Sequence, residues 1–233
     1  FAMLVKRYLS DLAALFFPQT CVGCDTPLVY GERLICASCW YHLPYTNSHN
    51  DTLNSSDSQR WGRIHLEAVA SYWYFRDSSR VKQIIHHFKY RGRSEIGALI
   101  GVRYGDILRE TAPFNQAEVV VPVPLHPKRL RERGYNQSAF FAEGLSRSMG
   151  CPVIKHGMER CKATESQTHK NRYERYENML ETFEVRDAKA LAGKHVLLVD
   201  DVLTTGATLE ACASVLSMGG AAKVSAVTIA KAL

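Results

Sequence analysis

Two adjacent carboxylates, Asp200 and Asp201, stand between an apolar run, His195-Val196-Leu197-Leu198-Val199, and the small residues Thr204, Thr205, Gly206, Ala207 and Thr208. Hydroxyls and a glycine at a helix start make a cradle for phosphate, because that end leaves backbone N–H groups unpaired and carries partial positive charge. Gly206 lets the backbone come close to a ligand with no Cβ in the way. Carboxylates repel phosphate, so phosphate alone does not explain the acid pair. The neighbouring diol of a ribose does, since it offers hydroxyl donors to acidic acceptors. An ordinary βα turn with an acidic strand end and a threonine cap is the alternative. A nucleoside-triphosphate loop is the weaker alternative, because no Lys follows the glycine.

A second chemistry lies near the N-terminus. Cys21-Val22-Gly23-Cys24 and Cys36-Ala37-Ser38-Cys39 are two C-x-x-C pairs, each able to aim two sulfurs at one point. Together they supply four thiolates for tetrahedral Zn²⁺, a structural site with no open position; a ligand lost to His42 or His49 would change that. Disulfides or free thiols are the other option, while Cys151, Cys161 and Cys212 stand apart as core or loop residues.

The third pattern is charge. A net charge of +6 is modest, but it is unevenly spread. Arg76, Arg80, Lys82, Lys89, Arg91 and Arg93 face the single acid Asp77, and Lys128, Arg129, Arg131 and Arg133 face only Glu132. Such clusters suit anionic partners, either the phosphates of a small ligand or a nucleic-acid backbone, against the plainer option of solvated helix faces.

These groups need elements to place them. The run from His195 is too short and too uniformly apolar for a helix, so it predicts a strand buried on both faces of a parallel sheet and ended by the acids. Ala207, Leu209, Ala211, Val215, Leu216 and Met218 then follow helical spacing up to Gly219-Gly220. Ile64 to Phe75 predicts one or two strands, with helices after Ser78 or Ser79 (Val81, Ile84, Ile85, Phe88) and from Ser94 to about Glu110. Glu118 to Pro127 predicts the first strand of the parallel sheet, broken by prolines, then a basic loop from Lys128 to Gly134 and a helix with Phe140, Phe141, Leu145 and Met149. Lys223 to Ala230 is the final strand.

Around this α/β unit the chain predicts an amphipathic helix from Leu4 to Phe17 and a polar linker from Thr46 to Gln59. The charged stretch Arg160 to Asn178 has the composition of a flap over a ligand site, or of a solvated loop. The division expected is 1–45 for the helix and zinc-binding module, 46–63 for the linker and 64–233 for the main domain. No apolar run approaches the ~20 residues of a membrane span. The first residues lack a small-residue cleavage site, so a cytoplasmic protein is expected.

The stretch from Asp200 to Thr208 resembles the phosphoribosyl-pyrophosphate (PRPP) loop of type I phosphoribosyltransferases. That resemblance implies Asp200 and Asp201 on the ribose hydroxyls and Thr204, Thr205, Gly206, Ala207 and Thr208 on the 5′-phosphate. It also gives the pyrophosphate to the loop from Pro122 to Asn136, with Lys128, Arg129, Arg131 and Arg133 as contacts and Mg²⁺ as companion ion. Adding the C-x-x-C pairs, Phe88-Lys89-Tyr90-Arg91-Gly92, Pro122-Val123-Pro124-Leu125, Arg133-Gly134-Tyr135-Asn136-Gln137 and the Gln167, Arg175, Asn178 spacing, the chain from about Cys21 onward resembles the ComF (GntX-like) family. One departure is Thr168-His169-Lys170-Asn171, which lacks the apolar residue that members often carry soon after the glutamine.

Membership would imply a type I phosphoribosyltransferase-like parallel sheet flanked by helices, with a small zinc module. It would also imply a part in natural transformation, handling single-stranded DNA in the cytoplasm beside a helicase-like partner. Lys89, Arg91, Arg93, Arg133, Arg172 and Arg175, with Tyr90, Tyr173 and Tyr176 among them, offer the cations and stacking rings that single strands need. The competing expectation is an active phosphoribosyltransferase, with Asp200 and Asp201 holding the sugar in catalysis while a nucleobase or amine displaces pyrophosphate. Nothing in the chain reads as a base-recognition loop.

Overall fold

The computed structural model describes residues 18–51, 66–77, 79–161 and 182–233. The segment 4–17 and most of the charged stretch Arg160 to Asn178 expected as a flap, with Arg172 and Arg175, lie outside the described residues. The centre is a parallel sheet of β1 (Val69–Phe75), β6 (Lys223–Ala232), β5 (His195–Leu203) and β2 (Val119–Pro122), in that spatial order. In β5, Leu197 and Val199 join one apolar cluster while Val196 and Leu198 join another. That explains the unbroken apolar run, since both faces of the strand are covered.

On one face lie α2 (Arg80–Tyr90), α3 (Glu95–Leu108) and α5 (Gln137–Met149), together with the cysteine module and its helix α1 (Ala37–His42). The other face carries α6 (Ala188–Leu191), α7 (Ala207–Met218) and the antiparallel pair β3 (Met158–Arg160) and β4 (Phe183–Val185). Helix α2 turns Val81, Ile84, Ile85 and Phe88 into the core, each burial contributing ~1.5–3 kcal/mol. Its start is capped by Ser79, whose hydroxyl accepts from Lys82 N–H at 3.2 Å.

Helices α3 and α5 touch backbone to backbone. A Cβ on Gly101 would lie 2.4 Å from the Phe141 carbonyl oxygen, and one on Gly144 would lie 2.2 Å from that of Ala98. Only glycine permits this approach.

Three expectations are corrected. The first strand of the sheet is Val69–Phe75, which pairs with β6 at the edge opposite β2. Pairing over so long a sequence separation leaves no local mark. The acids do not end β5, which runs on to Leu203 because β6 is long enough to keep pairing with it as far as Lys231. The basic loop is partly a helix, α4 (Pro127–Arg133), with Pro127 in its first turn, the His126 ring accepting from Lys128 N–H, and Gly134 left-handed at its end. Proline at the start and glycine past the end are the signals of a short helix.

Sheet edges are covered. Pro44 to Thr46 runs along β1, with Tyr74 N–H donating to Pro44 O at 2.8 Å and Thr46 N–H to Tyr72 O at 3.1 Å. Residues 46–51 of the expected linker continue there, and the Ser48 hydroxyl accepts from Ser71 N–H at 3.0 Å. No helix among the described residues is long and apolar enough to cross a membrane.

Candidate functional site

The acid pair lies at the carboxyl end of β5, where open α/β sheets collect ligands. Strand alternation sends successive side chains to opposite faces. Asp201 accordingly meets the α2 side, where Lys89 Nζ lies 2.8 Å from its Oδ2 and Arg133 lies 4.0 Å away. Beyond Leu203 the chain turns through exposed Thr204 and Thr205 to Gly206, whose φ of 84° is left-handed, and enters α7. No side chain caps that helix start, so its first N–H groups have no side-chain acceptor.

Asp200 is held differently. Its Oδ1 accepts from the Ser138 hydroxyl at 2.9 Å and from Asp201 N–H at 2.8 Å. Burial first, and the neighbouring Asp201 charge second, push its carboxyl up to about 7, against the pull of Asp201 N–H, Ser138 and Lys89. One acid is thus ion-paired and the other is poised near neutrality.

The supporting frame is Arg133 to Ser138. Arg133 donates to Gln137 Oε1 at 2.9 Å, and its guanidinium lies 5.6 Å from the Tyr90 ring centre. The Tyr135 hydroxyl donates to Phe88 O, next to Lys89. Asn136 caps α5 by accepting from Ser138 N–H at 3.1 Å and donates to Val123 O at 3.0 Å. One hexapeptide therefore ties the ends of α2, β2 and β5 together. Ser138 was missed at the sequence level; the Asn136 cap announces a helix start there, but nothing local says that this start faces β5.

The structure brings Lys89 and Arg133 to Asp201 rather than leaving both on an open basic surface. Arg91 is exposed, Arg93 pairs with Glu95 at 2.6 Å, and Tyr90 is 63% exposed with the His86 ring 5.2 Å away. Lys128 and Arg129 are exposed on α4. Arg160 on β3 has its pKa lowered by burial and by the nearby Arg129 charge, and raised by Cys212 and Asp200.

In the cysteine module, Cys21 and Cys39 sulfurs are 3.6 Å apart and those of Cys24 and Cys36 are 3.7 Å apart, and no disulfide joins them. All four sulfurs lie within 4.8 Å of one another. A tetrahedron with metal–sulfur bonds of ~2.3 Å has sulfurs ~3.8 Å apart, so the geometry fits a four-thiolate metal. Gly23 N–H and Cys36 N–H donate to Cys21 Sγ, and Cys39 N–H to Cys36 Sγ, a donor set that favours thiolates. The Thr26 hydroxyl, 3.3 Å from Cys24 Sγ, brings that thiol down to about 6, while burial pushes Cys36 and Cys39 up. The module is part of the core: a Cβ on Gly23 would lie 3.4 Å from Ile84, and Trp40 and Trp73 rings are 5.8 Å apart.

A second metal-capable group among the described residues, Glu159, Cys161 and Glu184, is exposed, and Arg186 bridges both glutamates.

Comparison with known proteins bears on the acid loop and on the chain as a whole. The family profile of the phosphoribosyl transferase domain matches residues 136–233, from the Asn136 cap through the acid loop to the last strand. The DNA utilization protein YhgH of Escherichia coli (strain K12) is 31% identical over 90% of this chain and 96% of its own. Competence protein ComFC of Bacillus subtilis (strain 168) is 33% identical over 64% of this chain and 59% of its own. Among solved structures, the allosteric regulatory enzyme of purine biosynthesis aligns over 61% of this chain and 29% of its own, with a TM-score of 0.43 and 18% identity.

Proposed function

The chain belongs to the ComF (GntX-like) family, on a type I phosphoribosyltransferase fold, and from that premise we propose that it binds PRPP and handles single-stranded DNA during DNA uptake. The observation that carries the ligand is the acid pair in the strand that leads through a short turn into an uncapped helix start, with its own counter-charges supplied by Lys89 and Arg133. Asp200 and Asp201 accept from the ribose hydroxyls. Thr204, Thr205, Gly206, Ala207 and Thr208 take the 5′-phosphate, and Lys128 and Arg129 take the pyrophosphate. Mg²⁺ bound with PRPP would supply neutralising charge on the pyrophosphate. Cys21, Cys24, Cys36 and Cys39 hold Zn²⁺ as a structural ion.

The DNA side of the proposal rests on charge and aromatic exposure. Exposed Tyr90 lies beside Arg133 of the PRPP site, and exposed Arg91 follows it in the chain, with Arg93 close by in sequence; Arg172 and Arg175 lie outside the described residues and enter the proposal on sequence alone. A stacking ring beside long cationic side chains binds single strands with little sequence preference. The relatives' names, DNA utilization and competence, support the same direction. A cytoplasmic location and a helicase-like partner complete the proposal.

The test is anisotropy of labelled single-stranded DNA at two salt concentrations, with and without PRPP and Mg²⁺. Salt-sensitive binding is expected, and Arg91→Ala with Arg93→Ala should flatten the salt slope by roughly 0.7 for each phosphate that is no longer neutralised. Absent binding would overturn the DNA role and bring forward the transferase alternative, checked by pyrophosphate release with a panel of nucleobases.

A further inference from the structure

A carboxylate recognises a diol only if the right oxygen faces it. Both donors that reach Asp200, the Ser138 hydroxyl at 2.9 Å and Asp201 N–H at 2.8 Å, occupy the same oxygen, Oδ1. Among the described residues no hydrogen bond is made to Oδ2. Ser138 is itself fixed: it is 4% exposed, and its N–H is held by the Asn136 side chain, which is anchored in turn on Val123 O.

We propose that Ser138 is a positioning residue for ligand recognition, holding Asp200 so that Oδ2 is the oxygen presented to the sugar hydroxyls. The proposal rests on the PRPP assignment of the acid pair and adds a residue to it. Charge alone cannot do this task. The groups around Asp200 are Asp201 on its own strand, Lys89 from α2, Arg160 from β3 and Cys212 from α7, with Arg133 from α4 beside Asp201. The Lys89 ammonium is committed to Asp201 at 2.8 Å. A neutral hydroxyl can stay with Asp200 whatever anion arrives, and its donated bond favours the ionised acid, the form that accepts from two hydroxyls.

The experiment uses the full chain and Ser138→Ala, a substitution that removes one oxygen. The Asp200 carboxyl is titrated by carbon NMR in the ligand-free protein, and affinity for PRPP with Mg²⁺ is measured by calorimetry between pH 5.5 and 8.5. Loss of one bond to a charged group predicts roughly tenfold weaker binding at pH 7, a loss that persists at pH 8.5 because the misaligned carboxylate is ionised there too, and an Asp200 titration about one pH unit higher. An unmoved Asp200 titration would make Ser138 a packing residue and overturn the proposal, as would unchanged affinity. If the wild-type chain binds no PRPP, the ligand assignment fails; the ligand-free titration then decides alone whether Ser138 holds Asp200.

Discussion

The cysteine cluster and the acid pair both crowd like-charged ligands, and they solve the problem in opposite ways. The four sulfurs close on a single point, with sulfur–sulfur distances of 3.6 and 3.7 Å. A metal cation relieves that arrangement once the thiols ionise. The two carboxylates have relief built in, from Lys89, Arg133 and Ser138, and among the described residues no hydrogen bond is made to Asp200 Oδ2. The first arrangement suits a resident ion, whereas the second holds its two acids in place by groups of the protein itself and so suits a ligand that comes and goes.

The sharpest way to break this contrast is to deny the cysteine cluster the metal proposed for it. Because the cysteine module shares a core with α2 and β1, chelation, Cys21→Ser or Cys36→Ser should destabilise the whole chain by about 4 kcal/mol or more, lowering Tm by about 10 °C. Metal content and calorimetric melting check this; a metal-free preparation that melts unchanged would remove the structural role. Next in size, Asp200→Ala with Asp201→Ala should weaken PRPP binding at least about 100-fold while leaving metal content intact. Equal affinity would mean that the acids do not hold the sugar.

The smallest effect sharpens the comparison by running the other way. Asp200 binds its proton more tightly folded than unfolded, its carboxyl standing at about 7. Its contribution therefore turns against the folded state as pH rises from about 4 to about 7. Asp200→Asn keeps an acceptor for Ser138 and carries no charge, so it should stabilise the chain by about 1–2 kcal/mol at pH 8 and by nothing at pH 4, while impairing PRPP binding. Melting curves at the two pH values check the sign, and a variant less stable at pH 8 would contradict it.

The same contrast explains what the sequence could disclose. The C-x-x-C pairs are local, so spacing alone brought four sulfurs together, and the apolar run of β5 was legible because burial on both faces demands it. The acid pair was legible as a motif, but its frame was not. Lys89 and Arg133 look like members of basic clusters, and composition does not say that both reach Asp201. Ser138 lies far from Asp200 in the chain, and only the folded arrangement of α5 against β5 makes them neighbours. The strand Val69–Phe75 was seen, but its place in the parallel sheet depends on β6, at the other end of the chain.

The close approach of Gly101 and Gly144 gives the site a mechanical setting. Helix α5 is a rod whose tip, Ser138, touches the acid pair and whose side rests on α3 where neither helix has a side chain. The clearance at that resting point is already spent, so a single methyl there would act as a wedge and swing the tip. The alignment of Asp200 is thus calibrated from a point remote from it, by the absence of an atom.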